Sequence, residues 1–289
     1  MRVSEQACVF HCAGERLVGV LHAPPSSAAT LGVLIVVGGP QYRIGSHRQF
    51  LLLARTWAEA GIPVFRFDCR GMGDSSGEFP GFEQTGPDIA AAVDAFFAQM
   101  PALQRVALWG LCDGATAISG YACRDRRVAG IALMNPWVRS EAGQARTQLK
   151  HYYLQRLTDP DFRRKLMRGQ LRLGRSLRDV AANVAKAFLG RPRGGSHGSD
   201  GPTDTLIERM GAGVLRYGGP VLLLLSGEDL TGKEFADAAT ASPRWRRIFA
   251  EQQVRRHELP LADHTFSRRA WRDQVALWTR DWLAGLDRG

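Results

Sequence analysis

The sequence predicts a doubly wound, mostly parallel eight-stranded α/β sheet with one helical insertion. Three features carry that prediction. Continuous apolar runs recur along the chain, amphipathic stretches of helical spacing separate them, and one arginine-rich segment without strand patterning interrupts the alternation.

Residues 7–24 (CVFHCAGERLVGVLHAPP) read as two short strands around an Ala-Gly-Glu-Arg turn. LGVLIVVGG (31–39) and IPVFRFD (62–68) are buried strands, and HRQFLLLARTWAEAG between them has helical spacing and a stop at Gly61. The alternation repeats through DIAAAVDAFFAQM (helix), RVALWG (strand), GATAISGYACR (helix) and RVAGIALMN (strand), and it stops at Asn135-Pro136. From 137 to about 190 the chain reads as helical, and GRPRGGSHGSDGP (190–202) reads as a flexible Gly-rich loop. Strands resume at GPVLLLLSGED (219–229) and QQVRRHELP (252–260), before an amphipathic helix near 267–286. The expected organisation is a core of 1–136 and 218–289 with a helical cap at 137–217.

A chain of 289 residues with 45% hydrophobic and 23% charged residues has enough apolar material for one large core, which sets it apart from disordered sequences. The net charge of +10 is uneven. Between Trp137 and Tyr217 there are 16 Lys/Arg against 7 Asp/Glu, which suits either a solvated basic surface or an anionic partner. Five cysteines, without a C-x-x-C pair, fit a reducing cytoplasm and no metal site. The N-terminal residues show no signal-peptide pattern, and no apolar run approaches the roughly 20 residues of a membrane span. Nothing reads as a nucleic-acid module.

The stretch LWGLCDGATAIS (108–119) places Cys112 where a strand runs into a helix, with Gly110 and Gly114 two positions to either side. In a strand-turn-helix elbow the nucleophile adopts a strained backbone, and small residues at −2 and +2 prevent clashes. The helix N-terminus favours an anion and leaves the N–H of Asp113 free for an oxyanion. Cysteine is also a common buried residue, so the context must decide. It supplies an acid and a base in the order nucleophile, acid, histidine. Asp229 follows an apolar strand, with Glu228 as its competitor, and His264 lies in the loop before the last helix. The loop VVGGPQYRIGSHR offers a second oxyanion donor at Gly39 or Gln41, since Pro40 has no N–H. Asp68 and Arg70, in FDCRGMGDSSG, are expected to bond within their own loop and steady the elbow.

These motifs together resemble the α/β-hydrolase superfamily: G-x-C-x-G after a strand, D-x-R-G-x-G-x-S at Asp68–Ser75, G-x-D at Gly227–Asp229 and A-D-H at Ala262–His264. More narrowly, GGPQYRIGSHRQF, LWGLCDGA and NPWVRSEAGQARTQLKHYYLQRL are similar to the exosortase A system-associated hydrolases of type 1, which are encoded beside exopolysaccharide and protein-sorting genes. The resemblance implies Cys112, Asp229 and His264 as a triad working without cofactor. It departs from the commonest superfamily pattern in two places. Cysteine replaces serine, and Gly38 stands where a histidine often precedes the oxyanion glycine.

A cysteine can hand its proton fully to His264 and carry the acyl group as a thioester. The expected activity is therefore hydrolysis of an ester or thioester through acyl-Cys112. The alternatives are acyl transfer from a CoA or acyl-carrier-protein thioester, and a non-catalytic scaffold. Cysteine members of the superfamily include dienelactone hydrolases and acyl-transferring polyhydroxyalkanoate synthases. Arg139, Arg146 and Lys150, which follow the strand ending at Asn135, are the residues expected to meet an anionic or carrier-bound small-molecule acyl substrate.

Overall fold

The computed structural model describes residues 3–25, 28–39, 41–138, 205–251 and 253–286. They form a compact unit that runs to Val138 and resumes at Thr205. Its strands are β1 (Ser4–Cys12), β2 (Glu15–Ala23), β3 (Leu31–Val36), β4 (Val64–Phe67), β5 (Arg105–Leu111), β6 (Val128–Met134), β7 (Val221–Ser226) and β8 (Val254–Leu259). They make one sheet in the order β1-β2-β4-β3-β5-β6-β7-β8. β1 and β2 form an antiparallel hairpin and β2 pairs antiparallel with β4. Every pairing from β4 through β8 is parallel.

The helices are α1 (Gln49–Glu59), α2 (Gly86–Gln99), α3 (Asp113–Tyr121), α4 (Leu206–Tyr217), α5 (Leu230–Ala241), α6 (Pro243–Ala250) and α7 (Arg269–Leu286). Strand residues alternate between two apolar layers, as their period of two requires. Val33, Ile35 and Trp109 face Phe50 and Trp57 of α1 and Trp282 of α7. Leu34, Val36 and Leu108 face Ile89 of α2, Ile118 of α3, Met210 of α4 and Phe235 of α5. The central strands are buried on both sides, so they read as unbroken apolar runs. Two indole N–H groups in this core find acceptors: Trp57 Nε1 donates to Ala276 O (3.1 Å) and Trp109 Nε1 to Thr279 Oγ1 (3.4 Å).

The structure differs from the sequence reading in two places. Helix α4, which the sequence placed in the insertion, packs against α3 and α6 within the sheet's own unit, and the Trp245 Nε1 of α6 donates to Ile207 O at 2.8 Å. Its buried face, Met210 and Val214, is apolar at helical spacing, and a Cβ on Gly213 would stand 2.3 Å from Ser119 O. The core thus resumes at 205 rather than 218, and residues 139–204 of the expected cap lie outside the described residues. Helices α5 and α6 were not anticipated either. Their start signals are legible afterwards, with Asp229 capping α5 and Ser242-Pro243 opening α6. Among the described residues no helix is long and apolar enough to cross a membrane.

Candidate active site

Four loops at the C-terminal edge of the sheet carry the candidate groups: those after β3, β5, β7 and β8. Cys112 follows β5 at the N-cap of α3 with φ 60° and ψ −127°, a strained conformation for a residue with a side chain. Its backbone is held from both sides, since its N–H donates to Met134 O (2.9 Å) and its carbonyl accepts from Trp137 N (3.2 Å). Both flanking glycines are sterically required. A Cβ on Gly110 would lie 2.7 Å from Gly114 C, and one on Gly114 would lie 2.5 Å from Val36 O.

Asp229 is buried at the N-cap of α5, where its carboxylate accepts the N–H groups of Thr231 (3.1 Å) and Gly232 (2.8 Å). The same carboxylate meets His264 Nδ1 at 2.8 Å, and the charge of Cys112 acts on the same ring. Burial alone would lower the imidazolium pKa. The hydrogen bonds and charges of Asp229 and Cys112 outweigh it, and the value is pushed up from 6.5 to about 10. Glu228, the competing acid, is exposed, and its backbone N–H donates to Ala262 O (3.0 Å). The side chain that reaches His264 is that of Asp229.

Sequence reasoning missed Asn135. It follows β6, is fully buried and has a positive φ of 39°. Its Nδ2 donates to Ser226 Oγ (2.7 Å) and to His264 O (2.9 Å), and its Oδ1 accepts from Ser226 N (2.9 Å). It therefore ties the loop of His264 to the end of β7. The available signal was an amide ending an otherwise apolar strand, where a buried polar group must find partners.

In the loop after β3 the structure departs from the expectation for Gln41. The backbone N–H of Gln41 turns back onto Gly39 O (2.7 Å), and its side-chain Oε1 accepts from Ser46 N (2.9 Å), so the Gln41 N–H is spent inside the turn. The carboxylate of Asp113 accepts from Gly114 N (3.1 Å). Asp68 does bond within its loop, to Asp74 N (3.1 Å), but it also binds the backbone N–H (2.6 Å) and guanidinium of Arg43, and so anchors the loop after β3. Arg70 instead forms a two-pronged pair with Asp88 of α2, at 2.9 Å for each bond. Arg139, Arg146 and Lys150 lie outside the described residues.

Cys8, Cys12 and Cys69 are buried, and burial raises their thiols; Cys112 and Cys123 are partly exposed. Among the described residues no group of three or more His, Cys, Asp or Glu side chains is placed to hold a metal ion.

A parallel sheet with helices on both faces and a nucleophile-elbow turn after its central strand defines the α/β-hydrolase class. Within that class the chain belongs to the family described as serine aminopeptidase, S33, whose model matches residues 32–185. No curated protein matches the chain. Solved structures share its fold at low identity. An esterase of Pyrococcus furiosus is 13% identical with a TM-score of 0.63, over 98% of this chain and 91% of that one. Est1E of Butyrivibrio proteoclasticus, solved with ferulic acid bound, is 15% identical with a TM-score of 0.60, over 98% and 100%. A dienelactone hydrolase of Anabaena variabilis is 14% identical with a TM-score of 0.61, over 99% of both chains.

Proposed function

We propose that the protein hydrolyses an ester or thioester through an acyl-Cys112 intermediate. The observation that carries this reading is the 2.8 Å hydrogen bond between His264 Nδ1 and Asp229, with the charge of the elbow cysteine acting on the same ring. The sulfur of Cys112 attacks the substrate carbonyl carbon, a C–S bond forms, and the π electron pair moves to oxygen. The N–H groups of Gly39 and Asp113 receive that oxyanion. Collapse restores the carbonyl and breaks the bond to the leaving group, which takes a proton from His264. Water then gives its proton to His264, attacks the thioester, and releases the acid as the sulfur departs.

Several further points support the reading. Tyr42 and Leu261, on loops at the same sheet edge, and Leu230, at the start of α5, are exposed side chains suited to an apolar acyl group. Esterase and dienelactone hydrolase relatives share the fold. Arg139, Arg146 and Lys150 are assigned to an anionic part of the substrate on the charge excess of their segment, within a cap begun at 137. The exosortase-associated subtype and a cytoplasmic setting belong to the same reading and rest on the quoted motifs and the cysteine pattern.

Cysteine in place of serine favours a second reading, acyl transfer, because a thioester intermediate is readily taken by amines, alcohols and thiols. Thiol release from a medium-chain acyl thioester, with no acceptor added, decides between them. Hydrolysis gives steady turnover with free acid. One equivalent of thiol followed by a stall would replace the hydrolase with a transferase, and no release from a folded chain would leave a scaffold.

A further inference from the structure

One buried cation has no part in that reaction. Arg66 stands among the apolar residues of β4 and is only 5% exposed. By the strand's period of two it shares the face of Val64, which packs with Phe50 and Trp57 of α1. Among the described residues no carboxylate is in salt-bridge contact with it. Its Nε donates to His22 Nε2 at 2.8 Å, and its Nη1 donates to the backbone carbonyl of Arg43 at 2.9 Å. His22, on β2, is fully buried as well. Accepting from Arg66 makes it the neutral ring with its proton on Nδ1, and burial beside that guanidinium pushes its pKa down to about 4. The Nδ1–H makes no hydrogen bond; Glu5, 3.7 Å away, is held by Arg55. A buried guanidinium on a neutral partner is a costly filling for a strand, and an apolar pair of similar volume would suit the sheet better. The arrangement is explained by what Arg66 holds.

Arg43 lies in the loop after β3. Its N–H donates to Asp68 Oδ1 (2.6 Å), its guanidinium binds Asp68 and Asp74 (2.7 Å to the latter), and Arg66 takes its carbonyl. The peptide units on both sides of Arg43 are thus gripped from β4 and the residue that follows it. Five residues upstream the same loop closes on the elbow, where a Cβ on Gly38 would stand 2.4 Å from Gly114 N and from Leu111 O. Gly39 comes next, and its N–H is a proposed oxyanion donor. We infer that Arg66, oriented by His22, is a positioning residue: it ties the loop after β3 to β4 through the Arg43 carbonyl and so sets the Gly39 N–H for the acyl oxygen. The inference rests on the proposed acyl-Cys112 reading.

The test compares wild type with Arg66→Met and with the double variant His22→Leu, Arg66→Met, which leaves neither buried partner alone. Acetylation of Cys112 by p-nitrophenyl acetate passes through an oxyanion, whereas alkylation by iodoacetamide is a direct displacement at carbon and does not. The ratio of the two rates separates the oxyanion donors from any general disturbance of the thiol. It should fall about ten- to a hundredfold in both variants, since a misplacement of about 1 Å costs on the order of 10²-fold. The double variant should unfold at no lower denaturant concentration than wild type, because an apolar pair replaces a buried charge, and it serves if Arg66→Met alone does not fold. The ratio decides, and a fall in it supports the inference at any unfolding midpoint. An unchanged ratio, with wild type acetylated at Cys112, would make Arg66 structural only and overturn the inference alone. No acetyl-Cys112 in wild type would overturn the proposed function together with it.

Discussion

Replacing His264 with alanine is expected to slow acylation of Cys112 by about 10²–10⁴-fold, the range that a positioned acid–base group supplies. The far-UV signature should not change. The ring is held by Asp229 at 2.8 Å, and the loop beneath it by Asn135 at 2.9 Å through a backbone carbonyl that alanine retains. The loss should therefore be chemical rather than structural. Stability supplies a second signature. Folding raises the imidazolium pKa from 6.5 to about 10, so the folded chain holds that proton more tightly than the unfolded one. The stabilisation is fully present below about 6.5, declines as pH rises, and is gone above about 10. The stability difference between wild type and His264→Ala, measured by denaturant unfolding, should shrink across that window. A difference independent of pH would mean that the ring is not paired as described.

The second large effect is expected from Gly114→Ala. The added methyl would stand 2.5 Å from Val36 O and 3.0 Å from Gly38 N, both backbone atoms without a rotamer to adjust. The elbow and the oxyanion loop must then move apart. A misplacement of about 1 Å costs on the order of 10²-fold in rate, so kcat should fall by about that factor. Gly120→Ala, in the same helix with open space around the new carbon, is the control. It should leave kcat unaltered and stabilise the fold by about 0.4–1 kcal/mol, because alanine constrains the unfolded chain. Equal losses from both variants would show a general effect on α3 rather than crowding at the elbow.

Much of this was legible in the residues, and the reasons are physical. The buried strands declare themselves because both faces need apolar side chains, and the elbow because its two glycines have no alternative at their contact distances. Asp229 was preferred over Glu228 from its place in the strand-end loop, and the N-cap bonds to Thr231 and Gly232 show what holds it. What stayed hidden depends on distance in space rather than along the chain. Asn135 acts on a loop 129 residues away. The spent N–H of Gln41 follows from the local turn onto Gly39, which the presence of Pro40 does not reveal. Arg70 reaches Asp88 because α2 starts beside its loop. Helix α5 carries mixed polar and small residues with weak periodicity, and α6, though amphipathic, is only eight residues long.

The central claim is that Cys112 carries the acyl group. Intact-protein mass spectrometry after brief exposure to a panel of acyl thioesters, followed by peptide mapping, tests it directly. The expected result is a single acyl mass on the peptide containing Cys112, accumulating further in a variant slowed at deacylation and lost in Cys112→Ala. Acyl mass on Cys8, Cys12, Cys69 or Cys123 with Cys112 unmodified would contradict the account.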